Sequence, residues 1–354
     1  MKKLLNILYV LLGFMIILNS CDREDFPSYQ IPAESDCPIE FSPAYASLET
    51  KTTTTTINNF KVWASRTYTS NNTTQTDKTV FGQTGTKVTK SDDIWAYSPV
   101  RYWQPDSYSF YAVSPADFAT GSLSDNGLAL SFGDNGWDLS ADQTDLVLAT
   151  TSVQGTDFFN KPTSPEPVSL AFDHMLSQIS FSARNADPNG VAITVKEVKV
   201  YGNSKTATRM SRVLEDNSYK VKWELANTTT SQAPFKALSS LSALLTTGST
   251  VEQGTTKYEY TSLCPAFMFF PEQCDLTFEA TIAQKFTNSV NAPEVTKSVK
   301  IQKPQNGWVA GKIYNYKLKI TAENIVIDIE PEVETWVTKD DNNNDLVVDG
   351  PIVM

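Results

Sequence analysis

One histidine, four cysteines and an acidic run near the C-terminus are the residues of this sequence that could carry chemistry. The histidine is His174, so metal sites made of several histidines are excluded, as is the His-Glu-x-x-His motif. A Ser/His/Asp triad would have to use His174, which stands beside Asp173 without a nucleophile elbow. We therefore expect His174 to order a turn through hydrogen bonds, and we predict no enzyme activity, no catalytic residue and no cofactor.

The acidic run has the spacing that begins a calcium loop, because Asp341, Asn343 and Asp345 place oxygen ligands at alternate positions. However, Leu346 stands where such a loop needs glycine, and Ile352 stands where it needs the closing glutamate. We interpret the run as a solvated spacer, and we predict no metal site.

The cysteines beyond the leader are Cys37, Cys264 and Cys274, and their spacing fits no zinc pattern. Cys264 and Cys274 flank a short stretch that a disulfide could close in an oxidising compartment. Two buried thiols are the alternative, because an odd number of cysteines is not typical of a disulfide framework. The sequence leaves both readings open.

The fourth cysteine, Cys21, ends a leader. Two lysines precede an apolar stretch, residues 4–18, that is shorter than the ~20 residues of a membrane span but suits a signal peptide. Ser20 followed by Cys21 resembles a bacterial lipobox, in which the cysteine receives lipid. We predict a signal peptide over residues 1–20, lipid on Cys21 that anchors the chain in the outer membrane, and a tether over residues 21–38. The acidic residues just after Cys21 resemble a tag for the outer cell surface.

The composition favours an all-β protein. Apolar residues make up 40% of the chain and charged residues 19%, and few segments have helical spacing. The net charge is −11 and basic runs are missing, which excludes nucleic acid as a partner.

The chain divides at residues 168–183. Apolar side chains alternate on even numbers in residues 168–172 and on odd numbers in residues 179–183. Because successive side chains of a strand point to opposite faces, one strand cannot bury both sets. A tight turn or one helical turn must reset the phase between them. We predict an N-terminal domain over residues 39–172 and a C-terminal domain over residues 173–336.

Within these halves the alternation of apolar and polar residues predicts strands. One stretch has helical spacing and predicts a helix. Ile39, Phe41 and Tyr45 share one face of a first strand, and Pro43 restricts that strand to an edge or a bulge. The helix would follow Pro234, with leucines at 238, 241 and 245.

Seven aromatic residues crowd into residues 95–111. Such a cluster could form a platform for sugars, but large aromatic side chains more often fill a core. We favour the core.

Three motifs follow one another along the chain: Trp95-x-Tyr97-x-Pro99 with Tyr102-Trp103-Gln-Pro105, then Phe172-x-His174-x-Leu176-Ser177, then Asn306-Gly307-Trp308-x-x-Gly311-x-x-Tyr314-x-Tyr316. In this order, behind a lipobox, they resemble the fimbrillin family, whose members are lipoprotein precursors of type V pilus subunits. The resemblance runs from Cys21 to about Trp336.

The resemblance implies two tandem β-sandwich domains similar to transthyretin, and a chain exported as a lipoprotein to the cell surface and its fimbriae. It also implies cleavage after an N-terminal strand, here between Lys51 and Thr52, with lysine where processed members usually carry arginine. Subunits of the family polymerise through donated strands. The candidate donor here is the C-terminal tail, residues 337–354, in which Pro351 would be awkward and Leu346–Val348 would supply most of the insert.

Two functions therefore compete. The first is a structural or accessory subunit of a fimbria that supports adhesion and binds other subunits through donated strands. The second is a surface lipoprotein that does not polymerise and binds glycan or a host protein as an adhesin. Polymer formation after protease treatment separates them.

Overall fold

A computed structural model describes residues 37–45, 57–92, 94–159, 166–202, 204–215, 218–226, 234–272 and 274–335. The predicted signal peptide, the lipid site at Cys21, the cleavage site at Lys51 and Thr52, and the tail from 337 to 354 lie outside these residues. Within the described residues no helix is long and apolar enough to cross a membrane.

The chain is built from strands, as its composition predicts, and its described helical structure is one turn, Thr156–Phe159. The strands before the division are β1 Phe41–Tyr45, β2 Asn59–Ser70, β3 Thr73–Asp77, β4 Thr86–Ser91, β5 Ile94–Ala96, β6 Ser107–Ser114, β7 Thr120–Ser124, β8 Gly127–Ser131, β9 Trp137–Asp138, β10 Val147–Gln154 and β11 Val168–His174. Those after it are β12 Ser177–Asn185, β13 Ala192–Tyr201, β14 Thr206–Glu215, β15 Ser218–Leu225, β16 Lys236–Leu238, β17 Ala243–Leu244, β18 Ser249–Glu252, β19 Thr255–Tyr258, β20 Thr261–Phe269, β21 Leu276–Lys285, β22 Glu294–Ile301, β23 Lys312–Ile320 and β24 Ile325–Thr335.

An eight-stranded sheet forms the centre of the first half. Its order is β1-β11-β10-β6-β2-β4-β5, and β3 pairs with β2. β1 lies at an edge and runs parallel to β11. The edge position predicted from Pro43 is therefore confirmed, because a residue without an N–H is tolerated there.

Both faces of this sheet are buried. Phe60 and Val62 of β2 face one core, and Trp63, which follows Val62, faces another. The indole of Trp63 fits because glycine occupies two neighbouring positions: a Cβ on Gly85 or Gly121 would lie 2.5 or 2.3 Å from the ring. A larger residue at either glycine would collide with a fully buried ring.

Two sheets sandwich the core of the second half. One has the order β20-β12-β23-β24, and the other has the order β16-β13-β21-β22 with β17 also paired to β13. Alternate residues of their central strands, such as Phe181, Phe278 and Leu318, fill the space between them.

The phase change at the division is confirmed. β11 buries Val168, Leu170 and Phe172 and ends in the first sheet, whereas β12 buries the odd-numbered residues and lies in the second half. Only two residues, Met175 and Leu176, separate β11 from β12, and both are buried. The connection is a bend rather than a helical turn.

One sheet combines strands from both sides of the division. β14 pairs with β8, with Met210 opposite Leu130, and β15, β7 and β9 complete this sheet. It shares the core that contains Trp63. Residues 39–172 and 173–336 are therefore joined by backbone hydrogen bonds as well as by the chain.

The helix predicted after Pro234 is wrong. The stretch forms two short strands, Lys236–Leu238 and Ala243–Leu244, along the edge of β13. Leu241 N–H and Leu245 N–H donate to the backbone carbonyls of Lys196 and Ile193 in β13 at 2.9 and 3.0 Å. Pairing with the edge of β13 satisfies the same backbone N–H and C=O groups that a helix would. The stretch therefore forms strands although its leucines have helical spacing.

Candidate functional site

Residues 37–45, called the N-terminal segment below, are paired on both sides. On one side Pro38 forms an antiparallel bridge with Tyr102. Next to this bridge Trp103 N–H donates to Cys37 C=O at 3.0 Å and Ile39 N–H donates to Arg101 C=O at 2.8 Å. On the other side β1 pairs with β11, and Val168 N–H donates to Glu40 C=O at 2.7 Å. The segment thus fills a gap between two stretches of backbone.

The side chains of the segment are buried at alternate positions. Cys37, Ile39 and Phe41 are 0%, 0% and 4% exposed. The shared face predicted for Ile39 and Phe41 is confirmed. Cys37 and Pro38 lie in the predicted tether, but they belong to the folded segment. A polar, proline-containing stretch gives no sign in the sequence of where pairing begins.

Phe41 has the largest side chain among these three and lies among four aromatic rings, called the Phe41 pocket below. The ring centroids of Phe60, Phe81, Tyr97 and Phe110 lie 5.8, 5.7, 5.8 and 5.9 Å from that of Phe41. Edge-to-face and tilted pairs at such distances add to the stabilisation that comes from burial.

Tyr97 also fixes the backbone of the segment. Its hydroxyl donates to Ile39 C=O at 2.7 Å. Burial raises the pKa of Tyr97 to about 12, so the hydroxyl keeps its proton at neutral pH. Tyr97 is therefore part of the clamp on the segment, a role that its place in the aromatic cluster did not reveal.

Most of the aromatic cluster fills the core, as we favoured. Trp103, Tyr108 and Phe110 are at most 2% exposed, whereas Tyr102 is 45% exposed. Tyr102 lies at the rim of a cleft of about 510 Å³, called the arginine cleft below. The residues that line it are Arg66, Asp77, Thr79, Val80, Val100, Arg101, Tyr102, Gln104 and Tyr108.

The arginine cleft holds two guanidinium groups. Arg66 Nη2 lies 3.9 Å from Asp77 Oδ2, and Arg66 Nε lies 3.7 Å from Asp106 Oδ2. The Nε atoms of Arg66 and Arg101 are buried and have no hydrogen-bond acceptor among the described residues. No motif in the sequence predicted this cleft, because its two arginines are far apart in the chain.

His174 is buried, and its Nδ1 hydrogen-bonds Asp145 Oδ1 at 3.0 Å. The next residue, Met175, donates its N–H to Leu146 C=O at 2.9 Å. The structure thus shows the expected hydrogen bond that orders the bend. It holds the end of β11 against the residues that lead into β10.

Cys264 is a buried thiol, and no disulfide connects it with Cys274. Burial raises the pKa of Cys264 to about 11. Cys274 has another role, since its C=O accepts the indole N–H of Trp308 at 2.9 Å. Among the described residues no three His, Cys, Asp or Glu side chains come together as metal ligands.

Two of the three sequence motifs meet in space. Gly311 N–H, with a φ of 71°, donates to Leu176 C=O at 2.8 Å, and Ser177 Oγ donates to Val309 C=O at 2.8 Å. The rings of Trp308 and Tyr314 pack edge to face at 4.9 Å. The third motif, residues 306–316, therefore packs over the bend between the halves. This contact gives a physical reason for the glycine and for the spacing of the aromatic residues in that motif.

A protein-family model described as fimbrillin-like matches residues 48–336. The chain belongs to the fimbrillin-like family. No curated protein matches the sequence of this fimbrillin-like chain.

Among solved structures, a fimbrial protein from Bacteroides vulgatus is 18% identical, with a TM-score of 0.48, over 85% of this chain and 99% of that one. The fimbrial anchor protein Mfa2 from Porphyromonas gingivalis is 11% identical, with a TM-score of 0.34, over 85% of this chain and 98% of that one.

Proposed function

We propose that this fimbrillin-like chain is a structural or accessory subunit of a cell-surface fimbria that supports adhesion, and that it exchanges its N-terminal segment for a strand of another subunit. The observation that carries this proposal is the double pairing of the segment. Its backbone bonds both to residues 101–103 and to β11, and its buried side chains complete a core. The role is structural and needs no catalysis.

Removal of the segment would leave a groove. The backbone groups that now pair with it would lose their partners, and the Phe41 pocket would face water. Burial of apolar surface is worth ~25 cal/mol per Å², so refilling the groove with another strand is strongly favourable. Backbone pairing would set the direction of that strand, and its alternate side chains would set the register.

Cleavage between Lys51 and Thr52 would separate two pieces with different tasks. The piece that ends at Lys51 carries both Cys21 and the N-terminal segment. One cut would therefore release the subunit from its lipid anchor in the outer membrane and open the groove. A subunit would become able to polymerise only when it leaves the membrane.

The test is limited digestion of the purified chain with a Lys-specific protease, followed by N-terminal sequencing and by electrophoresis without boiling. We expect a new N-terminus at Thr52 and a ladder of oligomers. Lys51→Gln is the control and should give neither. A folded product that begins at Thr52 and stays monomeric would contradict strand exchange.

The second candidate is a surface lipoprotein that does not polymerise and binds glycan or a host protein, and the arginine cleft favours it. The cleft is lined by the side chains of Arg66, Arg101 and the exposed Tyr102, and guanidinium groups suit a sugar that carries a carboxylate. Binding of an oligosaccharide rich in uronic acid, lost in Arg101→Ala and kept in the exposed control Lys285→Ala, would support this role. Equal binding by both variants would exclude the cleft.

A further inference from the structure

We propose that the arginine cleft is one end of a longer groove, and that this groove binds a linear polysaccharide whose sugars carry carboxylates. The other end of the groove is one face of the β2–β3 hairpin. This face, called the hairpin face below, is formed by Arg66, Tyr68, Ser70, Thr73, Gln75 and Asp77. The inference rests on the ligand role proposed for the arginine cleft and extends that role from one acidic sugar to a chain of several.

The hairpin face exists because β2 is longer than the core that it covers. The even-numbered residues of β2 from Phe60 to Ala64 are fully buried. Since side chains at every second position of a strand share a face, Arg66, Tyr68 and Ser70 continue on the same side. These three are half-buried rather than buried. Beyond the end of the core, β2 therefore carries polar and aromatic groups that a ligand can reach.

Pairing with β3 widens this face. Tyr68 lies opposite Gln75, and Ser70 lies opposite Thr73. Both residues of β3 are exposed. The turn at residues 71–72 has positive φ angles of 50° and 58°, a geometry that fits the twist of two paired strands. Such a tight turn keeps the side chains of the hairpin face in a fixed register.

Two cavities adjoin along this surface. The arginine cleft, of about 510 Å³, takes Arg66 and Asp77 from the hairpin face. A second cavity, of about 410 Å³, lies over the residues that follow, and it is lined by Tyr68, Ser70, Asn71, Thr73 and Gln75. The guanidinium carbon of Arg66 lies 5.0 Å from the centroid of the Tyr68 ring, so the residues at the border of the two cavities are in contact. Each cavity alone is within the ~300–1,000 Å³ of small-ligand sites, so the two together have room for more than one sugar.

The side chains along the groove suit an acidic polysaccharide. At the cleft end, Arg66 is 28% exposed, and its distances of 3.9 and 3.7 Å from Asp77 and Asp106 exceed hydrogen-bonding range. Its guanidinium can therefore donate to a carboxylate of the ligand. At the hairpin end, the hydroxyl and amide groups both donate and accept hydrogen bonds, as the hydroxyl groups of sugars do.

The composition of the hairpin favours a sugar over a charged protein partner. Residues 67–77 contain one charged residue, Asp77. β3 lies beside the main path of its sheet and, among the described strands, pairs with β2. Strands in such positions often carry charged side chains, especially lysine, that prevent unwanted pairing. Residues 67–76 offer hydroxyl and amide groups instead, so a charged peptide would find no ion pair there, whereas sugar hydroxyls would find hydrogen bonds.

The test measures binding of acidic oligosaccharides to the full, uncleaved chain by isothermal titration calorimetry. One set of probes comes from polygalacturonate, a plant polysaccharide, and the other comes from hyaluronan, an animal polysaccharide. We expect the hexasaccharide of at least one set to bind about tenfold more tightly than its disaccharide, because the longer chain reaches the hairpin face. The set that binds more tightly identifies the source of the polysaccharide. A neutral hexasaccharide of cellulose that bound equally well would overturn the acidic class of ligand.

Two variants on opposite faces of β2 locate the ligand. Tyr68→Ala should weaken binding of the hexasaccharide about fivefold and leave binding of the disaccharide within about twofold. Thr69→Ala, at the next position but on the other face, is the matched control and should change neither. Arg101→Ala, in the cleft, should weaken binding of both lengths. Circular dichroism checks that all three variants fold.

The outcomes separate the groove from the cleft. Equal affinity for the two lengths, or equal effects of Tyr68→Ala and Thr69→Ala, would overturn the groove while the acidic ligand of the arginine cleft stands. If no acidic oligosaccharide binds, the ligand role of the cleft fails and the groove fails with it. Strand exchange is tested separately, by cleavage at Lys51.

Discussion

Among the buried residues Cys37, Ile39 and Phe41 of the N-terminal segment, Phe41 has the largest side chain. It is 4% exposed and lies within 6 Å of four aromatic ring centroids. Truncation of a buried phenylalanine removes apolar burial and leaves a cavity, at a typical cost of 3–5 kcal/mol. We expect Phe41→Ala to lower the free energy of unfolding of the uncleaved chain by about 3 kcal/mol, measured by urea denaturation. Phe286→Ala, at a residue 44% exposed, is the control and should change it by less than about 0.5 kcal/mol. Equal effects would contradict the burial argument.

Asp328 is the charged residue whose surroundings give the clearest pH dependence. Burial acts to raise its pKa, but hydrogen bonds from Arg184 and Tyr260 outweigh burial, and the pKa ends below its ordinary value. Tyr260 Oη donates to Asp328 Oδ2 at 2.8 Å, and Arg184 donates to both carboxylate oxygens. The folded state therefore binds the ionised form more tightly than the unfolded state does.

We expect Asp328→Asn to lower the free energy of unfolding by about 2 kcal/mol at pH 7, because it leaves Arg184 half-buried without its carboxylate. The pKa is lower in the folded chain, so the contribution is complete above pH ~4 and is lost as the pH falls through the folded value. The gap between the two proteins should narrow as the pH falls below about 4. Urea denaturation across this range measures it, and a gap that stays constant would show that ionisation of Asp328 is not the cause.

At the scale of the element, β1 is the strand whose release the proposed function requires. The hydroxyl of Tyr97 bonds the backbone of Ile39, and a neutral hydrogen bond is worth ~1 kcal/mol. After cleavage at Lys51, Tyr97→Phe should therefore speed release of the N-terminal segment about fivefold. Hydrogen exchange at Trp103 N–H and Val168 N–H, which the segment now protects, reports the release. Tyr260→Phe, in the second half, is the control and should not change it.

The same bond predicts a response to alkaline pH. The pKa of Tyr97 in the folded chain, about 12, lies above its ordinary value of 10. Its contribution is complete below pH ~10 and disappears as the pH rises through the folded value. Release from the cleaved chain should accelerate between pH 10 and 12, and this acceleration should be weaker in Tyr97→Phe. Identical pH profiles for the two proteins would contradict the role of the hydroxyl.

Alternation predicted most strands and failed where an element depends on its partner. β15, β21 and β23 follow their patterns because each covers one face along its length: the covered side chains are buried in β21 and β23 and half-buried in β15. In β13 a register shift between Val195 and Glu197 moves the buried face from odd to even positions, and the sequence follows it, because two polar residues, Lys196 and Glu197, separate Val195 from Val198.

The candidate site could be predicted only in part for the same reason. The face shared by Ile39 and Phe41 is a property of the strand, so the sequence shows it. The partners at Tyr102 and Trp103 lie more than sixty residues away in the chain, and local patterns carry no information about such pairing. The shared sheet of β8 and β14 was missed in the same way.

At the scale of the whole molecule, the two halves share a core as well as a sheet. Phe270, which follows β20 in the second half, is fully buried between Trp137 of the first half and Trp223 of the second, at 5.7 and 5.0 Å. Beside it the side-chain amide of Gln143 bonds the backbone of Met268 in both directions, and Met268 N–H donates to it at 2.6 Å. Unfolding of one half would expose this apolar surface and leave these polar groups without partners.

We therefore expect the halves to unfold together. Phe270→Ala removes a buried ring from the shared core and should lower the free energy of unfolding by about 3 kcal/mol. If the halves are coupled, hydrogen exchange at the most protected amides should increase by the same factor in β10 of the first half and in β21 of the second. Phe286→Ala should increase it in neither. An increase confined to β21 would mean that the second half opens alone, and the shared sheet would then have to be too weak to link the two transitions. Under the proposed strand exchange, a subunit whose halves unfold together would keep its groove intact until the whole subunit unfolds, whichever half carries the load.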